Sequence, residues 1–339
     1  MLKAKAARKR ATTIILAAGL LASTQLYGGR MAAAQSLTAV KVGISDPVNT
    51  VLAMWMADAA GFYKANGIDA EIKSTNGGSR GAAMIQSGAI QVMHVGLSSV
   101  VKIDNSGGDI RLIGSLSNVI RFTFFSAQGV TTPADLKGGI VAVSSFGSES
   151  DATVTMALKK LGLTRADVVP KEFGGGRNRM AALKNGEARA TSVNEPTATL
   201  ARERGVHVMA DLVADHIPWL FSGVVVKADY LAAHRDLMKN FLKATIEGNY
   251  LALSDEKRAK EIITKELKIT DPKVVDITYQ DFKAQSPKNL EPTKPAIDGI
   301  LNNMGMPLSS AGKYVDTSLL DELKTEGFFD AMQKKYNVH

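Results

Sequence analysis

Alternation between apolar and polar positions is the first regularity along the chain. Short runs of this kind at 40–44, 68–74 and 91–95 predict β-strands, and stretches with helical spacing that end near Ala59 and Gln86 separate them. Strands that alternate with helices are typical of an α/β lobe with a largely parallel sheet. We therefore expect the N-terminal third of the chain to form such a lobe.

The same order of elements returns about a hundred residues later. When residue 77 is paired with residue 175, the Gly-Gly pairs at 77–78 and 175–176 fall in register, and so do Gly88 and Gly186. Any doubly wound fold ends helices with glycine. A doubly wound fold alone does not explain why Gly-Gly loops occur at equivalent positions in two halves of the chain. The repeat therefore predicts two similar lobes.

Beyond Val226 the pattern becomes helical. The spacing predicts a helix from Arg235 to Leu253, a second begun by Ser254 with Asp255 and Glu256 in its first turn, and a third after Asp271-Pro272. These helices follow the second repeat and do not continue it.

The N-terminus has the order of a secretory signal peptide, predicted for residues 1–34. Five basic residues precede Thr13, an apolar run continues to Ala22, and Ala32-Ala33-Ala34 follows. That run has about ten residues, where a membrane span needs roughly 20. We expect the mature chain to be exported and soluble in the periplasm, without a lipid anchor because the chain has no cysteine.

Composition removes several classes of function. The formal net charge is +8, but the first 34 residues contain six of the 41 Lys and Arg and none of the 33 acids, so the remainder carries only +2. Nucleic acid is therefore not an expected partner. The absence of cysteine excludes disulfides, thiolate metal sites and a cysteine nucleophile, and none of the histidines is spaced H-x-x-x-H. We predict no metal and no cofactor.

Four phrases carry a resemblance to a known family: MWMADAAGFYKANGIDAEI (54–72), TTPADLKGGIVAV (131–143), AALKNGEARAT (181–191) and NEPTA (194–198). They resemble the sulfonate-, nitrate- and taurine-binding proteins of ABC importers, which are related to binders of thiamine-pyrimidine precursors. The resemblance covers essentially the whole mature chain, and it is specific to the family but not to a ligand.

The resemblance implies an α/β, two-lobed periplasmic binding protein of the type II, flytrap-like kind. In such folds the chain crosses between the lobes twice, and by analogy we place the crossings near 127–131 and 221–225. Lobe I then comprises residues 35–128 and 222–339, including the C-terminal helices, and lobe II comprises residues 129–221.

Ligands of parallel α/β sheets bind beyond the carboxyl ends of the strands, where helix N-termini favour anionic groups. The loops at these positions should face one interlobe cleft. The predicted ligand-contacting residues are Ser45, Asp46, Asn49, Gly78, Ser79, Arg80, Ser98, Ser148, Glu149, Arg177, Glu195 and Trp219.

Each of these assignments has a plainer alternative. A serine at such a position is often a helix cap. An arginine after a glycine turn is a candidate anion clamp, but solvent exposure is the simpler account of Arg177, which has Arg179 two residues away. The carboxylates Asp46, Glu149 and Glu195 would repel an anionic ligand unless each is paired within the protein or binds a ligand amine.

A hydrolase is the alternative class, because residues 77–81 match G-x-S-x-G with Ser79 as nucleophile and with His207 or His216 as base. The preceding strand alternates polar and apolar residues as a half-exposed strand does, and no His-Gly-Gly segment lies upstream. A nucleophile elbow needs a buried strand, so the sequence favours a non-enzymatic protein.

The expected function is that of a monomeric receptor. It would capture a small polar organic molecule, such as a sulfonate or a carboxylate, and deliver it to the permease and ATPase subunits of an ABC transporter. A sensory ligand-binding module remains open as a further alternative.

Overall fold

The structure, a computed structural model, describes residues 36–75 and 77–338, and of Ser79 it describes the backbone alone. The predicted signal peptide, Asn76 and His339 lie outside the described residues. The described strands are β1 (Thr38–Ile44), β2 (Ile68–Ser74), β3 (Val92–Val95), β4 (Ile110–Val119), β5 (Thr123–Ser126), β6 (Ile140–Val143), β7 (Val169–Glu172), β8 (Ala190–Val193), β9 (His207–Asp211) and β10 (Pro218–Lys227).

Helices connect these strands and form the C-terminal part of the chain. They are α1 (Leu52–Ala59), α2 (Phe62–Ala65), α3 (Gly78–Gln86), α4 (Leu97–Asn105), α5 (Glu149–Lys160), α6 (Gly176–Lys184), α7 (Thr197–Glu203), α8 (Ala228–Ala233), α9 (Arg235–Ser254), α10 (Glu256–Leu267), α11 (Pro272–Gln285), α12 (Lys294–Asn303), α13 (Ala311–Tyr314), α14 (Ser318–Thr325) and α15 (Phe328–Tyr336). The three predicted C-terminal helices correspond to α9, α10 and α11, and Asp255 and Asp271 cap the last two.

Two five-stranded sheets organise the described residues, in the orders β2-β1-β3-β10-β4 and β7-β6-β8-β5-β9. In each sheet four strands run in the same direction, and the fourth position in the order holds the one antiparallel strand, β10 or β5. Each of these antiparallel strands lies next to a crossing between the sheets in the sequence. The two sheets therefore have the same arrangement of strands. The prediction of an α/β fold with two similar lobes is confirmed.

The paired glycines lie at equivalent places in the two lobes. Gly77 is the residue before α3 and Gly175 the residue before α6. Gly88 and Gly186 follow the same two helices with φ values of 75° and 74°. This left-handed conformation is one that glycine adopts without steric cost, which explains why the repeat is visible in the sequence.

The lobe boundaries differ from those placed by analogy. Strand β5 pairs with β8 and β9, so the chain has left the first sheet before Thr123. Strand β10 pairs with β4 from Pro218, which is opposite Val119. The crossings therefore lie at 120–122 and 212–217, and not at 127–131 and 221–225. The alternating pattern that identifies a strand does not tell which sheet the strand joins.

The C-terminal helices pack on the first sheet. One hydrophobic cluster joins β1, α1 and α9 through α11, and it includes Val42, Leu52 and Phe241. A second cluster runs through the crossing, from Val95 and Leu97 to residues of β6 and α5. The two sheets are thus held partly by shared apolar contacts next to the cleft. Within the described residues no helix is both long and apolar enough to cross a membrane.

Candidate ligand-binding site

A cavity of about 80 Å³ lies between the two sheets, where the carboxyl ends of β1, β3, β6 and β8 meet. The first lobe contributes the loop after β1, the glycine loop before α3 and the start of α4. The second lobe contributes the serine-rich loop before α5, the start of α6 and the residue that follows β8. This is where ligands bind in open α/β sheets.

Five of the residues predicted from the sequence line this cavity: Ser45, Asp46, Gly78, Ser148 and Glu149. Ser148 is also the N-cap of α5, since its hydroxyl accepts a hydrogen bond from the backbone N–H of Asp151 at 3.4 Å. For Ser148 the capping role and the position on the cavity wall therefore coexist. The side chain of Ser79 lies outside what the structure describes.

Two other predicted residues are engaged elsewhere. The amide nitrogen of Asn49 donates to the Asp281 carboxylate at 2.8 Å and to the backbone oxygen of Thr278 at 3.2 Å. The carboxylate of Glu195 accepts from the backbone N–H of Thr199 at 3.0 Å and thereby caps α7. The side chains of Asn49 and Glu195 are therefore engaged in hydrogen bonds within the fold, beside the cleft.

The two predicted arginines, Arg80 and Arg177, are not part of the cavity wall. Arg80 is exposed on α3. Arg177 donates to the backbone oxygen of Leu267 at 2.7 Å, at the C-terminal end of α10. That contact joins α6 to a C-terminal helix, and a helix C-terminus is a favourable place for a cation.

Glu149, at the first position of α5, reaches across to the first lobe. Its carboxylate accepts from the backbone N–H of Ser98 at 2.9 Å and from the Ser98 hydroxyl at 3.0 Å. It also accepts from the indole N–H of Trp219 and from the backbone N–H of Ser99. The predicted residues Ser98 and Trp219 thus form, with Ser99, a seat for a carboxylate at the N-terminus of α4.

This seat is dry. Burial raises the pKa of Glu149 to about 7, against the opposing effect of the hydrogen bonds from Trp219 and Ser98. Desolvation penalises the charged form, and the donors recover part of that cost. Glu149 therefore titrates in the physiological range although four donors face it.

Asp46 makes the reciprocal contact from the first lobe to the second. Its carboxylate accepts from the backbone N–H of Gly176 at 2.6 Å, at the N-terminus of α6. A Cβ atom at Gly175 would lie 3.1 Å from the Asp46 carboxylate, so a residue without a side chain suits this approach. Each lobe therefore places one carboxylate on a helix N-terminus of the other.

Arg179 is a cavity residue that was not predicted. Its guanidinium is buried, with 3% of its surface exposed, and donates to the backbone oxygens of Gly174 at 2.6 Å and Ser192 at 3.2 Å. Within the described residues its Nε has no hydrogen-bond partner. Burial lowers the pKa of Arg179 to about 10, against the opposing charge of Asp46, so the side chain remains cationic.

Helix geometry separates Arg179 from the predicted residue Arg177. Two positions along an α-helix correspond to a rotation of about 200°, so Arg177 and Arg179 point to opposite sides of α6. One of them had to face the cleft and the other the outside. The sequence does not say which side of α6 faces the cleft, and the predicted residue, Arg177, is the exposed one.

Two more polar residues that line the cavity are His94 and Ser222. The Nε2 of His94 lies 3.0 Å from the hydroxyl of Thr50, while its Nδ1 and the Ser222 hydroxyl have no partner among the described residues. Burial lowers the pKa of His94 to about 4, so the imidazole is neutral at pH 7. His94 is therefore a buried, neutral residue of the cavity wall with one ring nitrogen that has no partner among the described residues.

The apolar part of the wall includes Phe122 and Phe221, whose rings meet edge to face with centroids 5.2 Å apart. The candidate bases of a hydrolase, His207 and His216, are both exposed outside this wall. The described site thus combines hydrogen-bonding groups with an aromatic pair.

Glu149 should give the protein a specific pH dependence. Because the folded protein holds this proton up to about pH 7 and the unfolded chain only to about 4.5, the Glu149 contribution to the free energy of unfolding falls as pH rises through that window. The slope is at most about 1.4 kcal/mol per pH unit. Denaturant unfolding from pH 5 to 8 should show it as a difference between the wild type and Glu149→Gln.

The variant is also the control for His94. A lowered histidine pKa makes the folded state less stable as pH falls below about 6.5, which is opposite in sign and present in both proteins. Asp46 and Arg179 also line the cavity and are unchanged in the variant. Stability curves that stay parallel across this range would contradict the role assigned to Glu149.

Two α/β lobes that enclose a polar cavity at the ends of their strands define a two-lobed ligand-binding protein. The chain belongs to the NMT1/THI5-like family, whose model matches residues 49–259. The resemblance to the sulfonate- and nitrate-binding proteins of importers is confirmed by this match and by the solved structures that share the fold.

Known proteins similar to this chain include binders of riboflavin, nitrate and sulphonates. The riboflavin-binding protein RibY of Chloroflexus aurantiacus is 26% identical over 211 residues, which are 60% of this chain and 59% of that protein, less than two thirds of its length. The periplasmic nitrate-binding protein NrtA of Synechocystis PCC 6803 superposes with a TM-score of 0.71 at 15% identity, over 86% of this chain and 89% of that one. The periplasmic aliphatic sulphonate-binding protein SsuA of Escherichia coli gives 0.59 at 20%, over 75% and 85%. At these identities the two structures show a common fold.

Proposed function

We propose that this protein is the soluble periplasmic receptor of an ABC importer. It captures a small polar organic molecule between its lobes and presents the closed form to a permease and its ATPase. Binding needs no covalent step, because a ligand that prefers the closed form is sufficient to shift the equilibrium between open and closed lobes. We expect the receptor to act as a monomer and without enzymatic turnover.

One observation carries the proposal: both lobes contribute to the cavity, and three buried polar side chains on its wall have atoms without partners in the described structure. These are His94, Arg179 and Ser222. Buried polar groups in proteins are nearly always hydrogen-bonded, so atoms left over at an interlobe cavity are suited to a ligand. The names of the nitrate-, sulphonate- and riboflavin-binding proteins above support the same general role.

The size of the cavity bears on the state of the receptor. About 80 Å³ is well below the roughly 300 Å³ at which sites for drug-sized ligands begin. The interlobe bonds of Asp46 and Glu149 are already formed at this separation. A ligand of moderate size therefore requires the lobes to separate before it enters and to close around it.

Lobe closure is the direct test. The chain has no cysteine, so cysteines introduced at the exposed positions Gln86 and Lys184, at the ends of α3 and α6, can carry a fluorophore pair. The ligand is identified by mass spectrometry of protein purified from the periplasm, and energy transfer is then measured with and without it. We expect the distance between the labels to change on saturation. No change in that distance, or in small-angle scattering, would argue against a receptor of this type.

The transport role needs a separate measurement. The permease and ATPase subunits are reconstituted in vesicles, and ATP hydrolysis is followed with the receptor in its ligand-free and ligand-loaded forms. Stimulation by the loaded form supports delivery to an importer. A receptor that closes on its ligand but never stimulates ATP hydrolysis belongs instead to a sensory system.

A further inference from the structure

The helix N-termini that face the cleft are the natural place for an anionic ligand. Their unpaired N–H groups and the helix dipole attract sulfonate, nitrate or carboxylate. In this protein the N-terminus of α4 holds the carboxylate of Glu149, and the N-terminus of α6 holds that of Asp46. In each case the carboxylate comes from the opposite lobe, so lobe closure itself fills both positions.

The N-termini of α4 and α6 have surroundings that fit the carboxylates of Glu149 and Asp46. Besides the backbone donors, the seat of Glu149 includes the Ser98 hydroxyl and the indole N–H of Trp219, which is 1% exposed. At Gly96, a Cβ atom would stand 2.3 Å from the Glu149 carboxylate, so the backbone leaves room for that oxygen and for little else. This close fit distinguishes the contact from a chance meeting of surface groups.

The charges on the cavity wall also disfavour an anionic ligand. The titratable groups that line the cavity are Asp46, His94, Glu149 and Arg179, and His94 is neutral. With both carboxylates ionised the wall carries one negative charge, and with Glu149 protonated it carries none. A ligand with a net negative charge would therefore add like charge to a largely dehydrated space, which is unfavourable.

The atoms that remain for a ligand are of a different kind. Arg179 Nε is a donor, His94 Nδ1 is a donor or an acceptor according to its tautomer, and the Ser222 hydroxyl can act as either. A carbonyl or ring nitrogen would satisfy Arg179, and N–H or O–H groups would suit the others. Phe122 and Phe221 offer an apolar surface beside them.

We infer that the ligand is an uncharged polar molecule with a carbonyl-type acceptor for Arg179, and that Asp46 and Glu149 set this specificity by occupying the two sites where an oxyanion would bind. The inference rests on the proposed receptor function and narrows its substrate class. It separates this protein from receptors that take free nitrate or sulfonates.

Calorimetric titration tests the inference with two sets of named probes. The anions are nitrate, sulfate and ethanesulfonate; the uncharged compounds are uracil and riboflavin. Each is titrated into the wild type and into the double variant Asp46→Ala, Glu149→Ala, which empties both helix N-termini. We expect no binding of the three anions by the wild type at millimolar concentration, and at least tenfold tighter binding of ethanesulfonate by the double variant.

A matched variant and a gentler pair control for loss of fold. Glu172→Ala removes an exposed carboxylate that bonds to the backbone N–H of Phe146, and it should gain no affinity for anions. Should the double alanine variant not fold, Asp46→Asn with Glu149→Gln removes the charges at nearly constant volume, and a smaller gain in ethanesulfonate affinity is expected because the amides still fill the two sites. Circular dichroism and thermal unfolding establish which variant is used.

The outcomes separate this inference from the proposed function. Micromolar binding of any of the three anions by the wild type, or a folded double variant that gains nothing, overturns the inference and leaves a receptor role intact. If the double variant gains ethanesulfonate while the wild type neither binds nor closes on any organic solute, the exclusion of anions by Asp46 and Glu149 stands, but the receptor role fails and the inferred ligand fails with it.

Discussion

Arg179→Ala should weaken binding of the ligand by about 10- to 150-fold, which corresponds to the roughly 1.5–3 kcal/mol of a hydrogen bond to a charged group. The guanidinium is buried on the cavity wall and has a donor without a partner among the described residues. The measurement is the dissociation constant, by titration calorimetry, of the ligand identified from the periplasm.

Arg177→Ala is the matched control for this prediction. It removes an arginine from the same helix, two residues away, whose side chain contacts the backbone oxygen of Leu267 outside the cavity. Affinity should change little. Arg179→Lys keeps the charge but not the planar guanidinium that would bind the ligand. Its loss of affinity should therefore lie between those of Arg177→Ala and Arg179→Ala. Equal losses for Arg177→Ala and Arg179→Ala would remove Arg179 from the site.

Gly96→Ala should be the most damaging of the small substitutions at the cleft. The new Cβ atom would lie 2.3 Å from the Glu149 carboxylate and 2.3 Å from the backbone oxygen of Phe221. Overpacking of this kind costs about 1–3 kcal/mol. The alanine itself is compatible with the extended backbone at this position, so a lower midpoint of denaturant unfolding reports the lack of space.

A second substitution separates the two contacts. Phe221 is in the same sheet as Gly96, whereas Glu149 comes from the other lobe, so Glu149→Ala should restore only the interlobe part of the loss. The coupling energy from the double-mutant cycle measures that part. Gly312→Ala, with open space around its Cβ position, is the control and should be close to neutral. An equally stable Gly96→Ala protein would contradict the close packing around Gly96, both within its lobe and between the lobes.

The fold could be predicted from the sequence because its signals are local. Glycines at 88 and 186 end helices in a conformation that other residues avoid, and their spacing from the Gly-Gly loops is the same in both halves. Asp255 and Asp271 cap helices through bonds to residues two or three positions away. Each of these signals is complete within a short window of the chain.

The composition of the site depends on contacts that no short window contains. Glu149 is 51 residues from Ser98 and 70 from Trp219, and Asp46 is 130 from Gly176. The sequence showed that acids in these loops would need partners, but not that each partner is a helix N-terminus of the opposite lobe. The cavity position of Arg179 was not predicted for a related reason, since it depends on the direction in which α6 is docked.

The exchange of antiparallel strands between the two sheets limits how the molecule can be divided. A fragment that starts at residue 129 omits β5, and β9 then loses its link to β8 because β5 lies between them. A fragment that starts at residue 121 retains that strand. Neither lobe is therefore complete at the borders placed by analogy, and fragments for expression have to be cut according to the sheets.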